Sequence, residues 1–562
     1  MRKILLLSMA LAGLTTACSQ KPDGEHYDLL IRNGAVHDGS GEPSRQVDVA
    51  VRGDRVVALL PQGTPATADH TIDAHGLAVA PGFINMLSWA SDALIADGRG
   101  MSDTMQGVTL EIFGEGTSGG PVTPAMREQQ LRLQGDEGHG IPWDSFGGHL
   151  DFMAERGVTP NVASFVGATT VRRNVMGDEP RAATADEVAQ MQVLVRQAMK
   201  EGALGVGSSL IYEPATNAEF GELVALAAAA GESGGGYISH IRNEGDQLLE
   251  SIDELIAVGR EAGVPVQAYH LKASGVRNWP KMAEAIARIQ AARDSGQAVS
   301  ADMYLYPASS TGLDTQLPKW AREGGAEARN ERMRDPAQRK RAIADVTASI
   351  AKHSPAERDA LGRTLLVNLN NEALKPLTGR TLADVASERG TDLATTIVEL
   401  IGEDQSRVGV VYFVMDEDNV RLGLSQPWVS LGSDGSSMAP EGAFLARSTH
   451  PRAYGNFARL FAKYVRDENL MSVEEAVRRI TKLPAETWQI KDRGCLDPGC
   501  HADLVVFDPA TIQDHATFEN PQQLATGVQH VWVNGEQVVR DGAHTGAKPG
   551  RVVRGPGWTG EK

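Results

Sequence analysis

Eight short apolar runs constrain the fold of this chain more than any other sequence feature. They are rich in Val, Ile and Gly, and Ala- and Glu-rich segments of helical character separate them. Alternating strands and helices predict a buried parallel sheet, and eight strands close such a sheet into a barrel. The predicted strands are residues 79–86, 109–113, 161–166, 204–208, 236–239, 264–269, 298–304 and 429–432. We therefore predict an α/β fold built on a TIM-like (β/α)8 barrel over residues 81–494.

Three further segments do not fit this alternation. Residues 27–80 and 495–555 have strand-like patterns with Gly and Asp at the turns, so we predict a small β-sandwich domain formed from both chain ends. The seventh and eighth predicted strands lie too far apart for one connecting helix. Between them, residues 311–368 are charged and helical, which predicts an inserted subdomain or lid.

The first eighteen residues predict the cellular compartment. A basic start, an apolar stretch from Ile4 to Leu14 and small residues ending at Cys18 are typical of a bacterial lipoprotein signal peptide. We expect export to the periplasm and lipidation of Cys18, with residues 19–26 as a tether; an ordinary cleaved signal peptide is the alternative. The apolar stretch is too short to span a bilayer, so the membrane is expected as a partner only through the lipid anchor.

Net charge and cysteine content limit the other partners. A formal charge of −18 argues against nucleic acid and anionic membrane surfaces, because both would repel the chain. After Cys18 the sequence contains only two further cysteines, Cys495 and Cys500. In an oxidising periplasm they could form a disulfide across the turn between them, and two free thiols are the alternative. The sequence does not indicate the oligomeric state.

Polar side chains suited to metal and acid–base chemistry follow several predicted strands. His240 ends the fifth strand, His270 follows the sixth and Asp434 follows the eighth. In a βα barrel these strand ends share one rim, where catalytic groups lie. Imidazoles bind zinc, and an open coordination position lets the metal lower the pKa of bound water towards about 7. Each residue alone is more often structural, but their joint placement predicts a metal-assisted hydrolytic site.

Motifs along the chain resemble those of the D-aminoacylase, or N-acyl-D-amino-acid deacylase, branch of the amidohydrolase superfamily. The resemblance runs from about Tyr27 to Arg554. The motifs are Ala80-Pro-Gly-Phe-Ile, Gln106-Gly-Val-Thr, Ser239-His-Ile-Arg-Asn-Glu-Gly-Asp, Tyr269-His-Leu-Lys-Ala, Asp302-Met-Tyr-Leu-Tyr-Pro-Ala-Ser-Ser-Thr-Gly-Leu, Gly432-Ser-Asp-Gly, His450-Pro-Arg and Ala502-Asp-Leu-Val-Val-Phe-Asp. Together they are highly specific, whereas Pro-Gly-Phe-Ile or Ser-Asp-Gly alone is not.

The resemblance implies a role for each matching residue. His240 and His270 become zinc ligands, and Asp434 becomes a metal-site residue and the general base that passes a proton from water to the leaving amine. The residues implied to hold the substrate are Tyr304, Ser310 and Arg452, with Lys272 at the same rim. An arginine fork pairs with a carboxylate through two parallel hydrogen bonds, so the implied substrate is an N-acyl amino acid, of D configuration by resemblance alone.

The chain departs from the family pattern on the first two strands. Leu87 and Trp89 stand where the superfamily carries two histidine ligands, and neither side chain can coordinate zinc. On the second strand Glu115 falls where the deacylases carry a metal-binding cysteine, and a carboxylate is an acceptable ligand. We therefore expect Glu115, His240 and His270 to bind one zinc ion with water in the fourth position; the alternative is that Glu115 is an ordinary loop carboxylate.

Two other functions stay open at this point. A cyclic amidase, hydantoinase-like or dihydroorotase-like, normally bridges two metals with a carboxylated lysine on the fourth strand, and residues 205–210 contain no lysine. A catalytically inactive binding barrel would be free to lose His240, His270 and Asp434, yet all three are present. The predicted function is therefore zinc-dependent hydrolysis of a linear amide.

Overall fold

The computed structural model describes residues 25–134 and 140–560. The predicted signal peptide, Cys18 and the tether as far as Gly24 lie outside the described residues, so export and lipid anchoring stay predictions. Within the described part of the chain, no helix combines the length and the apolar character that crossing a membrane requires.

Eight parallel strands form the centre of the molecule. They are Phe83–Asn85, Val108–Phe113, Asn161–Ser164 with its continuation Val166–Gly167, Gly205–Ser209, Gly236–His240, Val266–Ala268, Val299–Met303 and Val429–Leu431. Each strand pairs in parallel with the next strand in chain order. The amide of Leu204 also donates a hydrogen bond to the carbonyl of Ser164 and so joins the third strand to the fourth. The amide of Met86 donates to the carbonyl of Leu431 at 3.1 Å and closes the ring. The predicted (β/α)8 barrel is confirmed.

Helices cover the outside of the barrel and bury one apolar face each. In Leu248–Ala262, for example, the buried positions Leu248, Ile252, Leu255 and Val258 recur every three or four residues. The barrel helices are Ser91–Asp97, Met101–Thr104, Pro124–Gln134, Phe146–Arg156, Ala168–Met176, Ala185–Lys200, Phe220–Gly231, Leu248–Ala262, Lys281–Asp294, Glu417–Leu424, Arg452–Arg459, the π-helical Leu460–Asp467, Val473–Ile480 and Lys482–Thr487.

Both chain ends contribute to one ten-stranded sheet beside the barrel. The strands are His26–Arg32, Ala35–Val36, Arg45–Arg52, Arg55–Pro61, Thr67–Asp73, Ala78–Pro81, Leu504–Phe507, Val528–Val533, Glu536–Arg540 and Ala543–His544. Ala78–Pro81 pairs antiparallel with Leu504–Phe507 and joins the two ends, and residues from both ends, such as Val49 and Trp532, share one apolar cluster. Cys495 and Cys500 form a disulfide beside this sheet.

A buried polar network fastens the terminal sheet to the third barrel strand. Arg493 donates to Asp503, the side-chain amide of Asn534 donates to Asn161 at 2.8 Å, and the backbone amide of Asn534 donates to Asp503 at 2.8 Å. All four side chains are buried. Because a buried polar group without a partner is costly, these mutual hydrogen bonds set how the terminal strands sit on the barrel.

The inserted subdomain is larger than the predicted residues 311–368. Its strand Ser309–Gly312 pairs with Gly409–Tyr412, which also pairs with Leu365–Asn368, so the unit runs from 309 to 412. Its helices are Lys319–Arg322, Gly325–Arg334, Pro336–Ile350, Pro355–Gly362, Leu382–Arg389 and Leu393–Asp404. The predicted boundary at 368 was wrong because the strand that completes the sheet follows two further helices, and strand pairing across such a distance leaves no local sequence signal.

Candidate metal centre and active site

Glu115, His240 and His270 bring their ligand atoms together at the carboxyl-terminal rim of the barrel. The Oε1 atom of Glu115 lies 2.9 Å from Nδ1 of His240 and 3.2 Å from Nε2 of His270. One ligand atom from each residue lies within 4.8 Å of the other two, and all three residues are buried. Asp434, which was also predicted at the metal, does not belong to this group of three.

This set of two imidazole nitrogens and one carboxylate oxygen fits zinc. Bonds of about 2.0–2.2 Å in a tetrahedral site place ligand atoms about 3.3 Å apart, and the contacts of Glu115 with the two histidines are close to that spacing. Three protein ligands with a fourth position free for water is the arrangement of catalytic rather than structural zinc. Glu115, His240 and His270 would hold the ion.

Close backbone packing places Glu115 at the metal centre. Gly114 and Gly116 flank it with φ angles of +110° and +69°, values that favour glycine. A Cβ atom on Gly114 would lie 2.3 Å from the carbonyl oxygen of Phe165, and one on Gly116 would lie 2.5 Å from Cβ of Ser209. The two glycines therefore let the loop after the second strand turn Glu115 inward, against the third and fourth strands.

Two of the predicted site residues adopt left-handed backbone conformations. The φ angle is +34° at His270 and +48° at Asp434, which costs roughly 1–3 kcal/mol for a residue with a Cβ. The amide of His270 donates to Asp302 at 2.8 Å, and that of Asp434 donates to the carbonyl of Leu87 at 2.9 Å. The barrel thus holds both residues in a strained conformation, as is common at functional sites.

The electrostatic environment of the three ligands favours a cation. Burial raises the pKa of the Glu115 carboxyl, but hydrogen bonds with His240 and His270 outweigh burial and hold it well below its usual range. Burial and Lys272 lower the pKa of His270, yet Glu244 and Glu115 overcome them and raise it to about 10. Positive charge is therefore stabilised at this position, and a metal ion that binds there displaces a proton.

Glu244 and Lys272 lie behind His270. The Oε1 atom of Glu244 is 3.1 Å from Nδ1 of His270 and accepts a hydrogen bond from Lys272 at 2.5 Å. Burial raises the pKa of the Glu244 carboxyl, but Lys272 and the two histidines bring it far below its usual range. A carboxylate on the outer nitrogen of a metal-binding histidine fixes the orientation and the tautomer of the ring, which is the role that the geometry assigns to Glu244.

Asp434 faces the cavity between an indole and a guanidinium. Nε1 of Trp89 donates to Oδ1 of Asp434 at 3.1 Å and to Oε2 of Glu115 at 3.0 Å. Nη1 of Arg452 lies 2.9 Å from Oδ2 of Asp434. The carboxylate is only partly exposed, and both of its oxygens have a fixed partner, so its orientation beside the metal centre is well defined.

The four residues predicted to bind substrate all line one cavity of about 780 Å³ together with the metal centre. The guanidinium of Arg452 lies 4.3 Å from the ring centre of Tyr304, whose hydroxyl contacts the sulfur of Met415 at 3.2 Å. Ser310 donates its hydroxyl to the carbonyl of Val410 at 2.9 Å. Lys272 lies 5.7 Å from the Tyr304 ring centre. Arg452 is thus the charged group best placed to meet a carboxylate.

Three residues of this site were not predicted from the sequence: Trp89, Tyr212 and Glu244. Glu244 lies within the motif that begins at Ser239, four residues after His240, and that spacing was an available signal. Trp89 was considered only as the loss of a metal ligand, although an aromatic residue at a ligand position could have indicated that its side chain lies in the site. Tyr212, whose ring centre is 5.5 Å from that of His240, follows the fourth strand and left no sequence signal.

Comparisons with known proteins agree with this geometry. A model of the amidohydrolase family matches residues 70–539. A D-aminoacylase from Alcaligenes xylosoxydans xylosoxydans is 34% identical over 532 residues, which cover 94% of this chain and 98% of that protein. The resemblance to the D-aminoacylase branch is therefore confirmed.

Solved structures support the same branch. A D-aminoacylase structure from work on one-metal activation and second-metal attenuation of its binuclear centre matches with a TM-score of 0.78 and 33% identity, covering 94% of this chain and 100% of that one. An N-acyl-D-glutamate deacylase from Bordetella bronchiseptica, complexed with zinc and a phosphonate inhibitor, matches with a TM-score of 0.77 and 31% identity. The match again covers 94% of this chain and 100% of that one.

In sequence, a dihydroorotase, which is a cyclic amidase, matches over a much shorter stretch. The dihydroorotase of Lactobacillus acidophilus is 33% identical over only 72 residues, 13% of this chain and 16% of that protein. Since the deacylases match almost throughout, the cyclic amidase alternative is not favoured.

Proposed function

The chain belongs to the amidohydrolase family, and we propose that it is a zinc-dependent hydrolase that cleaves the amide bond of N-acyl-D-amino acids. The observation that carries the proposal is the convergence of Glu115, His240 and His270 on one point, with Asp434 and Arg452 in the same cavity. The similarity to D-aminoacylase and to N-acyl-D-glutamate deacylase supports this substrate class.

Each side chain has a defined task in this reaction. Zinc held by Glu115, His240 and His270 would polarise the substrate carbonyl and lower the pKa of water. Asp434 accepts a proton from the attacking water and delivers it to the leaving amine. Arg452 and Tyr304 receive the substrate carboxylate, and Trp89 holds Oδ1 of Asp434 in place through its indole N–H. Glu244 keeps the His270 ring oriented.

The contact between Arg452 and Asp434 couples substrate binding to the base. Nη1 of Arg452 lies 2.9 Å from Oδ2 of Asp434. A substrate carboxylate competes for the same guanidinium. When it binds, Oδ2 of Asp434 is released from Arg452 and is free to accept a hydrogen bond from water.

Turnover of matched enantiomers, with and without metal, tests the function. We expect the zinc-loaded enzyme to hydrolyse N-acetyl-D-leucine at least about tenfold faster, in kcat/KM, than N-acetyl-L-leucine, a free-energy difference of about 1.4 kcal/mol. Chelation should abolish the activity and added zinc should restore it. Release of the free amino acid provides the assay. Full activity of the chelated enzyme would contradict the metal-assisted mechanism, and equal rates would contradict the D preference.

We further propose that the enzyme works with a single zinc ion, because Trp89 blocks a second one. Its indole N–H donates to both Oε2 of Glu115 and Oδ1 of Asp434, so these two carboxylate oxygens beside the metal centre already have a hydrogen-bond donor. The indole supplies a hydrogen-bond donor to both oxygens and no atom that could bind a metal. Its ring also occupies the space beside these two carboxylates. This placement supports one-metal action in a chain whose D-aminoacylase relative has a binuclear centre.

Replacing Trp89 tests the one-metal proposal. The wild type is expected to retain one zinc per chain after dialysis against excess zinc. Trp89→His should retain two, since a histidine supplies one of the two ligands that Leu87 and Trp89 replace and removes the blocking indole. Trp89→Phe, which removes the N–H without adding a ligand, is the control and should stay at one. Metal analysis of the dialysed proteins gives the ratio. Two zinc ions in the wild type would refute the proposal.

A further inference from the structure

The cavity extends beyond the metal centre to the inserted subdomain, and this outer part is rich in guanidinium groups. Arg322, Arg329 and Arg407 of the insert line it, together with Arg173 of the barrel. Arg173 is neutralised by Asp178, with 2.7 Å between Nε and Oδ1. The charge of the outer cavity therefore depends mainly on the three arginines of the insert and on the carboxylates that oppose them.

One carboxylate serves two of these three arginines. Oδ2 of Asp314 lies 2.6 Å from Nη1 of Arg329, and Oδ1 lies 3.1 Å from Nε of Arg407. Arg322 has no ion-pair partner among the described residues, and its buried Nε atom has no hydrogen-bond partner. Two guanidinium groups thus share one carboxylate and the third has none, whereas Glu213 of the barrel adds one further carboxylate to the lining. The arginines of the insert therefore leave a net positive charge at this wall of the cavity.

The side chain of Arg407 is held in place but remains accessible to a ligand in the cavity. Its guanidinium carbon lies 4.7 Å from the ring centre of Tyr212, and Nη2 donates to Oγ1 of Thr311 at 3.2 Å. Its side chain is nevertheless 48% exposed. Asp314 and Arg329 are buried behind it. A guanidinium that is fixed on one side and open to the cavity on the other is suited to bind an anion.

Arg407 lies close to the metal centre without belonging to it. The ring of Tyr212 lies against that of His240 on one side, at 5.5 Å between ring centres, and against Arg407 on the other. The Tyr212 hydroxyl and Thr311 are hydrogen-bonded at 2.7 Å, and Thr311 follows Ser310 directly. A substrate with its amide at the metal ligands can therefore extend a second group to Arg407.

We propose that Arg407 and Arg322 form a second anion subsite, and that the preferred substrates carry a second carboxylate besides the α-carboxylate. The inference rests on the proposed function and narrows its substrate class. Arg452 meets the α-carboxylate, and Arg407 pairs with the additional one. That second carboxylate comes either from an acidic amino-acid side chain, as in N-acetyl-D-glutamate, or from a dicarboxylic acyl group, as in N-succinyl-D-leucine.

Kinetics with three substrates test the subsite and identify the source of the carboxylate. The wild type should hydrolyse N-acetyl-D-glutamate or N-succinyl-D-leucine about ten- to a hundredfold better, in kcat/KM, than N-acetyl-D-leucine, as expected for a charge-assisted pair. Arg407→Gln should remove that advantage mainly through KM, with a much smaller effect on N-acetyl-D-leucine than on the two dicarboxylic substrates. An equal loss for all three substrates, or no preference in the wild type, would overturn the proposal.

Further variants separate recognition from folding. Arg322→Gln removes a guanidinium without an ion-pair partner and should lower the same preference with no loss of thermal stability, whereas Arg407→Lys should restore part of it. Arg173→Gln is the matched control, because Arg173 is paired with Asp178, and should leave the preference unchanged. If Arg173→Gln abolishes the preference as fully as Arg407→Gln, the assignment to the insert is wrong.

Equilibrium binding keeps this test independent of turnover. Glutarate and pentanoate have equal chain lengths and differ by one carboxylate. Calorimetric titration of the zinc-loaded wild type should show at least about tenfold tighter binding of glutarate, a difference that Arg407→Gln should erase. If no amide is hydrolysed but this difference is present, the proposed function fails and the subsite stands. If amides are hydrolysed but the difference is absent, the subsite fails alone.

Discussion

Replacing Asp434 by asparagine is expected to lower kcat by about a hundredfold to ten-thousandfold, the usual contribution of a positioned general base. The asparagine side chain keeps an oxygen that can accept the Trp89 hydrogen bond, which is 3.1 Å long in the native site, but it can no longer take a proton from water. Asp434 lies outside the group of three ligand atoms, so zinc content should not change. Steady-state kinetics and metal analysis of the same preparation give both quantities.

Glu213→Gln is the matched control for this substitution. Glu213 lines the same cavity. Its Oε2 atom accepts a hydrogen bond from Asn217 at 2.9 Å, and this contact involves neither a metal ligand nor Asp434. The same change from carboxylate to amide should leave kcat within about twofold there, as for substitutions away from the reacting groups. Full activity in Asp434→Asn would remove Asp434 from the mechanism.

Replacing Glu115 by glutamine is expected to weaken zinc binding by more than about a hundredfold. Loss of an outer partner of a metal ligand already costs about ten- to a hundredfold in affinity, and Glu115 is assigned as a ligand itself. The neutral amide also removes the charge that balances His240 and His270. Activity should fall with zinc occupancy and recover in part at high zinc. Competition with a chromogenic chelator measures the affinity.

A cysteine at position 115 distinguishes a ligand from a structural residue. Glu115→Cys supplies a thiolate, which binds zinc well, and should recover most of the affinity that Glu115→Gln loses. Ser209→Ala removes a neighbour whose hydroxyl lies 3.4 Å from Oε1 of Glu115 and should retain zinc. If Glu115→Gln keeps its zinc and its rate, the ligand is another residue and only that part of the site must be reassigned.

The barrel and its reactive rim were predictable because both depend on local pattern. Strand length, β-branched composition and intervening helices are encoded within short windows, and closure at eight strands then places the ends of all strands together. His240, His270 and Asp434 could therefore be placed at one rim from their positions after strands alone, and the structure puts all three in the same cavity.

The insert and the outer cavity were less predictable because they depend on pairing between distant segments. Gly409–Tyr412 completes the sheet of the insert from beyond two helices. Arg407, just before that strand, meets Tyr212 of the barrel only through this pairing. In the sequence it is one of many surface-type arginines, and no local pattern separates it from the rest.

The sequence by itself determined the fold class, the family and the chemical types at the rim, because periodicity and motif order are properties of the linear chain. Only the tertiary structure decided which atoms meet. It turned Glu115 onto the two histidines through Gly114 and Gly116, set the Trp89 indole between two carboxylates and aimed Arg407 into the cavity. Such contacts depend on separations of a few ångströms between segments far apart in sequence, and packing of the whole molecule sets those separations.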